Sequence, residues 1–290
     1  MSTLHDLRVS LEMIKWEHSV FALPFALCGA MLAARGWPSA WQLLWIVAAM
    51  VSARSAAMAF NRYADADIDA ANPRTRMRAV PAGILSKQFV GLFVIAASTI
   101  FIFSAGMLNR LTLLLSPAAL VIVFLYSYTK RFTHWSHLVL GFALGVAPAA
   151  AWIAVRGSLD ARILLLTGVV TCWVGGFDVL YACQDCKFDA EFGLHSLPRH
   201  YGVANALLLA RLMHAVMIML LIAVVAVFHL GGFAVTGVCA VALLLAYEHS
   251  LVSSRDLSRL NAAFFTMNGV IAVVLFVFVA ADLLWQNRRL

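Results

Sequence analysis

Nine apolar runs, each about long enough to cross a bilayer, follow one another along this 290-residue chain with little between them. A helix rises 1.5 Å per residue, so about 20 residues cross the ~30 Å hydrocarbon layer. The runs lie at 17–35, 39–60, 88–107, 110–128, 136–155, 161–183, 203–228, 231–250 and 263–284. At such lengths only a helix satisfies its own backbone within lipid. The expected fold class is therefore all-α: a polytopic membrane bundle of about nine transmembrane helices, forming one domain over residues 1–290. The first run is short enough to mimic a signal-peptide core. Its leader, however, carries Asp6, Glu12 and Glu17 where a signal leader is basic, so it too is expected to be a span.

Charge narrows the function. Only 12% of residues are charged, against about 25% in a soluble domain. The net charge of +7 does not point to nucleic acid, and no nucleic-acid partner is expected. The basic residues sit in short segments between apolar runs, with no basic patch interleaved with exposed aromatics. In such segments Lys and Arg set membrane orientation. With the N-terminus inside, the cytoplasmic segments hold thirteen of them, and the opposite side holds six: Arg35, Arg110, Arg156, Arg162, Arg288 and Arg289. The expectation is N-terminus cytoplasmic and C-terminus outside. Cys183 and Cys186 form a lone C-x-x-C, and without a second pair it completes no tetrahedral zinc site.

Two acidic stretches break the apolar pattern. "NRYADADID" (Asn61 to Asp69) follows the second run, and "YACQDCKFD" (Tyr181 to Asp189) follows the sixth. Four runs separate them, so both emerge on the same, cytoplasmic face. If the helix continues through the first motif, Asn61, Asp65 and Asp69 share one face at i, i+4 and i+8. Tyr181, Asp185 and Asp189 do the same at the second, which hints at an internal duplication of a four-helix unit. Asp67 falls off that face and is expected to meet water or a loop arginine. Four carboxylates at one partly dehydrated cavity repel strongly. Cations relieve this, and all-oxygen ligation by carboxylates suits Mg²⁺, which shares its shell with substrate phosphates. Arg74, Arg76 and Arg78 follow the first motif in a loop that Pro73 and Pro81 keep from being one helix, and Lys130 and Arg131 follow the fourth run. Such cations beside bound metal can clamp a diphosphate.

Together these residues resemble the UbiA superfamily of intramembrane prenyltransferases. The resemblance rests on N-x-x-x-D-x-x-x-D at Asn61, Asp65 and Asp69 and on D-x-x-x-D at Asp185 and Asp189. It continues in R-T-x-x-R-x-x-P-x-G from Arg74 to Gly83 and Y-x-x-x-K-R-x-T from Tyr126 to Thr133. The chain departs from the commoner pattern where Arg62 follows Asn61 and where Ala79 stands in place of a frequent proline. The resemblance implies a prenyltransferase domain in a bacterial inner membrane, with the active site on the cytoplasmic side. It implies Mg²⁺ on Asp65, Asp69, Asp185 and Asp189, and a polyprenyl diphosphate bound by Asn61, Arg74, Arg78, Lys130, Arg131 and Tyr181. Ionisation gives an allylic cation, a dry apolar tunnel protects it, and an aromatic ring attacks it ortho to a hydroxyl. A carboxylate or the diphosphate then takes the ring proton.

The acceptor stays open between two aromatic acids. The chain is most similar to members that prenylate 4-hydroxybenzoate for ubiquinone. The segment "GFDVLYACQDCKFDAEFGLHSLP" is also similar to members that prenylate a futalosine-derived acid toward menaquinone. Arg54, seven residues before Asn61, is placed to hold an acceptor carboxylate or else an ion pair or carbonyl that ties spans together. His18 is a second candidate for the same pocket. A different class, an ion-coupled transporter, also uses intramembrane acids. Transporters carry them near the midplane on broken helices, whereas these lie at span ends.

Overall fold

Every apolar run forms a helix in the computed structural model, which describes residues 19–254, 256–257, 260 and 267–288. The leader and His18 lie outside the described residues. The long elements are α1 (Ser19–Ala34), α2 (Ala40–Ala64), α4 (Lys87–Leu108), α5 (Arg110–Thr129), α6 (Ser136–Arg156), α7 (Leu164–Ala182), α10 (Val203–Val227), α11 (Gly232–Ser250) and α12 (Asn268–Asn287). Three short helices complete the set: α3 (Ala66–Ala71), α8 (Cys186–Glu191) and α9 (Leu197–Tyr201). Among the described residues eight helices are long and apolar enough to cross a membrane, and α1 is a shorter ninth.

Local chemistry sets the helix ends. Ser39 starts α2 with a reciprocal capping box, its hydroxyl and backbone each bonded to Gln42 at 3.2 Å. Asn109 is the single residue between α4 and α5. It caps α5 through Thr112 N at 3.0 Å, and its amide reaches across to Ile153 O at 2.8 Å.

Several buried clusters hold the bundle together. A core of Phe25, Met31, Trp152, Trp173, Met217, Ile271 and Leu275 joins α1, α6, α7, α10, α11 and α12. A smaller cluster of Ala59, Val90 and Val94 joins α2 to α4. Lipid supplies no hydrophobic drive between helices, so close approach over small residues takes its place. Gly141 of α6 lies against the Thr171 carbonyl of α7, and Gly29 of α1 against Pro148 of α6, where a Cβ would strike backbone. The outward faces carry exposed Leu92, Ile95, Phe103 and Leu243, with Trp41 and Trp285 near helix ends, as expected of side chains that meet hydrocarbon and its interface. Between α2 and α5 on one side and α6 and α7 on the other lies a cavity of about 930 Å³.

Candidate active site

Eleven residues singled out from the sequence line this one cavity: Arg54, Asn61, Asp65, Asp69, Arg74, Arg78, Lys130, Arg131, Tyr181, Asp185 and Asp189, whereas Arg76 is exposed and does not line it. The helices do not run unbroken through the motifs, which corrects the simplest reading of the spacing. α2 stops at Ala64 and Asp65 is the joint, with φ −99° and ψ 10°, before α3 begins. Yet Asp65 N still bonds Asn61 O at 2.9 Å and Asp69 N bonds Asp65 O at 2.7 Å. The four-residue bonding pattern survives the bend, so Asp65 and Asp69 remain on the cavity face. At the second motif a 3-10 turn, Cys183–Asp185, separates α7 from α8 and leaves Asp185 and Asp189 buried at the rim.

Arginines meet these carboxylates. The segment after α3 returns over the cavity mouth. Its Arg78 Nη1 bonds both oxygens of Asp69 at 2.7 and 2.8 Å. Arg74 spans the cavity to the other motif: Nε donates to Asp185 Oδ1 at 2.9 Å, Nη2 to Asp185 Oδ2, and Nη1 to the Tyr181 hydroxyl at 3.0 Å. Asn72 adds a bond to Asp185 Oδ1 at 3.2 Å. Asn61 donates to Asp65 Oδ2 at 2.9 Å, and Arg131 Nη2 lies 3.3 Å from Asp65 Oδ1 while donating to Ala64 O at 2.6 Å. Asp67 stands outside with its side chain exposed to solvent, as expected, and pairs at 3.0 Å with Lys87, which starts the helix beside it.

Guanidinium forks interleave with the four carboxylates, and among the described residues no three Asp, Glu, His or Cys side chains draw together as a metal-holding group. The donors nonetheless suit a hard divalent ion: they are all oxygens, they face the cavity, and buried Asp189 has an Oδ2 with no hydrogen-bond partner. Burial raises the pKa of Asp65, and the Arg131 hydrogen bond offsets part of that rise. Burial also opposes charge on Lys130, but the surrounding Asp178, Asp189, Asp185 and Asp65 outweigh it and raise its pKa. Lys130 is thus an ammonium held among carboxylates.

Several cavity residues escaped the sequence reading. Arg62, noticed only as a departure, is buried with Nη1 3.8 Å from Asp69 Oδ2. Asp178 faces the cavity from α7 and contacts His137 Nδ1 at 2.6 Å. An aspartate within an apolar run was the available signal for it. Deeper in, the lining turns apolar, with Met50, Ala53, Phe101, Val123, Val146 and Ala147. Arg54 sits on that deep wall, seven residues and so about 10 Å beyond Asn61. Its Nε is buried and unpartnered.

Such a fold, with a charged rim opening onto an apolar interior, defines an intramembrane prenyltransferase. The chain belongs to the UbiA prenyltransferase family, whose model matches residues 22–285, and is a multi-pass integral membrane protein. It is 32% identical over 262 residues to the 4-hydroxybenzoate octaprenyltransferase of Cronobacter sakazakii, covering 86% of this chain and 89% of that one. Among solved structures it is similar to the apo form of a UbiA homolog from Aeropyrum pernix K1, with a TM-score of 0.84, 34% identity, and 92% and 98% of the two chains covered. It shares its fold with a UbiA homolog from Archaeoglobus fulgidus bound to GPP and Mg²⁺, at a TM-score of 0.75 and 17% identity over 95% and 99% of the chains.

Proposed function

We propose that this protein transfers a polyprenyl group from its diphosphate to the ring carbon ortho to the hydroxyl of 4-hydroxybenzoate, in ubiquinone biosynthesis. The observation that carries the reading is Arg54, a guanidinium in the apolar depth of the cavity with an unpartnered Nε. A cation so placed suits an acid that enters ring and carboxylate first, and the planar fork matches a carboxylate. The likeness to 4-hydroxybenzoate octaprenyltransferases over most of both chains supports the same acceptor.

At the rim, Asp65, Asp69, Asp185 and Asp189 would hold Mg²⁺, a role supported by their all-oxygen chemistry and by the Archaeoglobus fulgidus homolog bound to GPP and Mg²⁺. Bound there, the ion neutralises charge on the departing diphosphate. Lys130, Arg131, Arg74 and Arg78, with Asn61 and Tyr181, bind that diphosphate by charge-assisted hydrogen bonds. For this the arginines exchange aspartate partners for phosphate oxygens. The apolar interior receives the prenyl chain and keeps water from the allylic cation. The whole chain works as one transmembrane domain, with N-terminus and active site on the cytoplasmic side of a bacterial inner membrane, as the loop cations indicate.

The test is acceptor competition. Purified protein with one polyprenyl diphosphate and Mg²⁺ is offered equal 4-hydroxybenzoate and a futalosine-derived acid. The reading expects prenylated 4-hydroxybenzoate as the main product; preference for the futalosine-derived acid moves the enzyme to menaquinone synthesis.

A further inference from the structure

His137 and Asp178 pair across α6 and α7, the helices that wall one side of the cavity, and neither belongs to the aspartate motifs. His137 is fully buried in the first turn of α6, with Nδ1 2.6 Å from Asp178 Oδ2. Its Nε2 accepts the backbone N–H of Leu197 at 3.4 Å. A ring nitrogen that accepts carries no proton, so the imidazole proton lies on Nδ1 and is donated to Asp178. That bond fixes one carboxylate oxygen, while the side chain, 20% exposed, faces the cavity. Lys130 faces the same carboxylate from α5's end.

Position adds the second argument. Asp178 lies four residues before the end of α7 at Ala182, about 6 Å below it. Arg54 lies ten residues before the end of α2 at Ala64, about 15 Å below it. α2 and α7 both run toward the rim where the motifs meet. Arg54 is therefore the deeper of the two in the one cavity that both line, and Asp178 lies between it and the rim. An aromatic acid held by its carboxylate on Arg54 points a para hydroxyl from the deep wall toward the rim, the side on which Asp178 lies. A carboxylate inside a span is also expensive enough to expect a use.

We infer that Asp178, oriented by His137, receives the acceptor hydroxyl and takes its proton as the ring attacks. This rests on the hydroxybenzoate reading above. The donor's C1–O bond breaks and its electron pair leaves on the diphosphate. The ring carbon ortho to the hydroxyl forms the new C–C bond to C1. The O–H proton passes to Asp178, and the freed pair becomes a C=O bond, giving a neutral dienone. The proton on the alkylated carbon then leaves to the diphosphate, its C–H pair restores the aromatic ring, and the oxygen recovers its proton from Asp178. Asp178 is a catalytic residue in this step and His137 a positioning residue.

The experiment uses full-length protein in detergent, the wild type and three variants: Asp178→Asn, His137→Leu and His137→Asn. The acceptors are 4-hydroxybenzoate and a ring-fluorinated analogue whose hydroxyl ionises more readily. Asp178→Asn should lower kcat about 10²-fold and leave donor binding and acceptor KM nearly unchanged. With the fluorinated acceptor the variant-to-wild-type ratio should recover about tenfold, because that hydroxyl needs the base less. His137→Leu should lose about tenfold or more, and His137→Asn, whose amide donates from the Nδ1 position, should regain most of it. A wild-type kcat in Asp178→Asn, or the same loss with both acceptors, overturns the inference. Unchanged donor binding marks folded protein. Should Asp178→Asn lose it, the His137 pair decides, and equal losses in Leu and Asn overturn the role. A wild type that leaves 4-hydroxybenzoate unprenylated sinks the acceptor reading first and this inference with it; a wild type that prenylates it beside an unimpaired Asp178→Asn sinks the inference alone.

Discussion

Replacing Arg54 by methionine separates a binding role from a structural one, because the two make opposite forecasts. Among the described residues Arg54 makes no hydrogen bond or ion pair, and its Nε is buried without a partner. A guanidinium within a span is costly, about 2.5–3.5 kcal/mol on insertion scales. Methionine fills similar space without the charge, so Arg54→Met should not destabilise the protein. Its apparent Tm in detergent should rise, at roughly 2–4 °C per kcal/mol relieved. A hydrogen bond to a charged group contributes about 1.5–3 kcal/mol, and about 1.4 kcal/mol is tenfold. The acceptor KM should therefore rise roughly 10- to 150-fold, with donor affinity unchanged. Arg54→Lys should fall between, since an ammonium keeps the charge and loses the fork. The assay is steady-state kinetics with varied 4-hydroxybenzoate at saturating donor, beside thermal melts of the same preparations. A lower Tm with an unchanged acceptor KM would refute the reasoning and make Arg54 a tie between spans.

Asp→Asn at Asp65, Asp69, Asp185 or Asp189 should each lower turnover at least ~100-fold while membrane insertion stays normal; full activity in two of the four would remove the metal-clamp account. Arg131→Ala should weaken the prenyl donor in kinetic assays and leave the acceptor KM nearly unchanged, whereas normal donor kinetics with normal topology would leave Arg131 only an orientation signal. Gly141→Leu should destabilise the bundle by ~1–3 kcal/mol or more, read as a lower Tm, because its Cβ meets the Thr171 carbonyl of α7; an unchanged Tm would mean the helices shift freely there.

The architecture was largely legible because hydropathy reports directly on what lipid requires. Each predicted run became a helix with ends within a few residues of the forecast, apart from the last, described from Asn268 onward. The two motifs were legible too, since charges at the ends of apolar runs stand out. The bends at Asp65 and at Cys183–Asp185 were not. The i, i+4 spacing is the same whether a helix runs on or turns slightly while keeping its bonds. Nor could the sequence reveal that Arg74 reaches Asp185, because 111 residues separate them and any loop arginine has that reach. Arg62 read as a departure from a pattern until its burial beside Asp69 made it part of the cavity. A histidine in the first turn of a span carries no signal of its own, and only the fold brings His137 to Asp178.

The central claim is that two aspartate motifs at the ends of α2 and α7 serve one Mg²⁺-dependent prenyl transfer. Its most direct test is the product itself. Purified protein, a polyprenyl diphosphate and 4-hydroxybenzoate are incubated with Mg²⁺, with EDTA, and with EDTA followed by excess Mg²⁺, and the product is analysed by mass spectrometry and NMR. The account predicts 4-hydroxybenzoate carrying the prenyl group ortho to its hydroxyl, lost with EDTA and restored by Mg²⁺. Equal product in EDTA, or a prenyl group attached at oxygen, would contradict it.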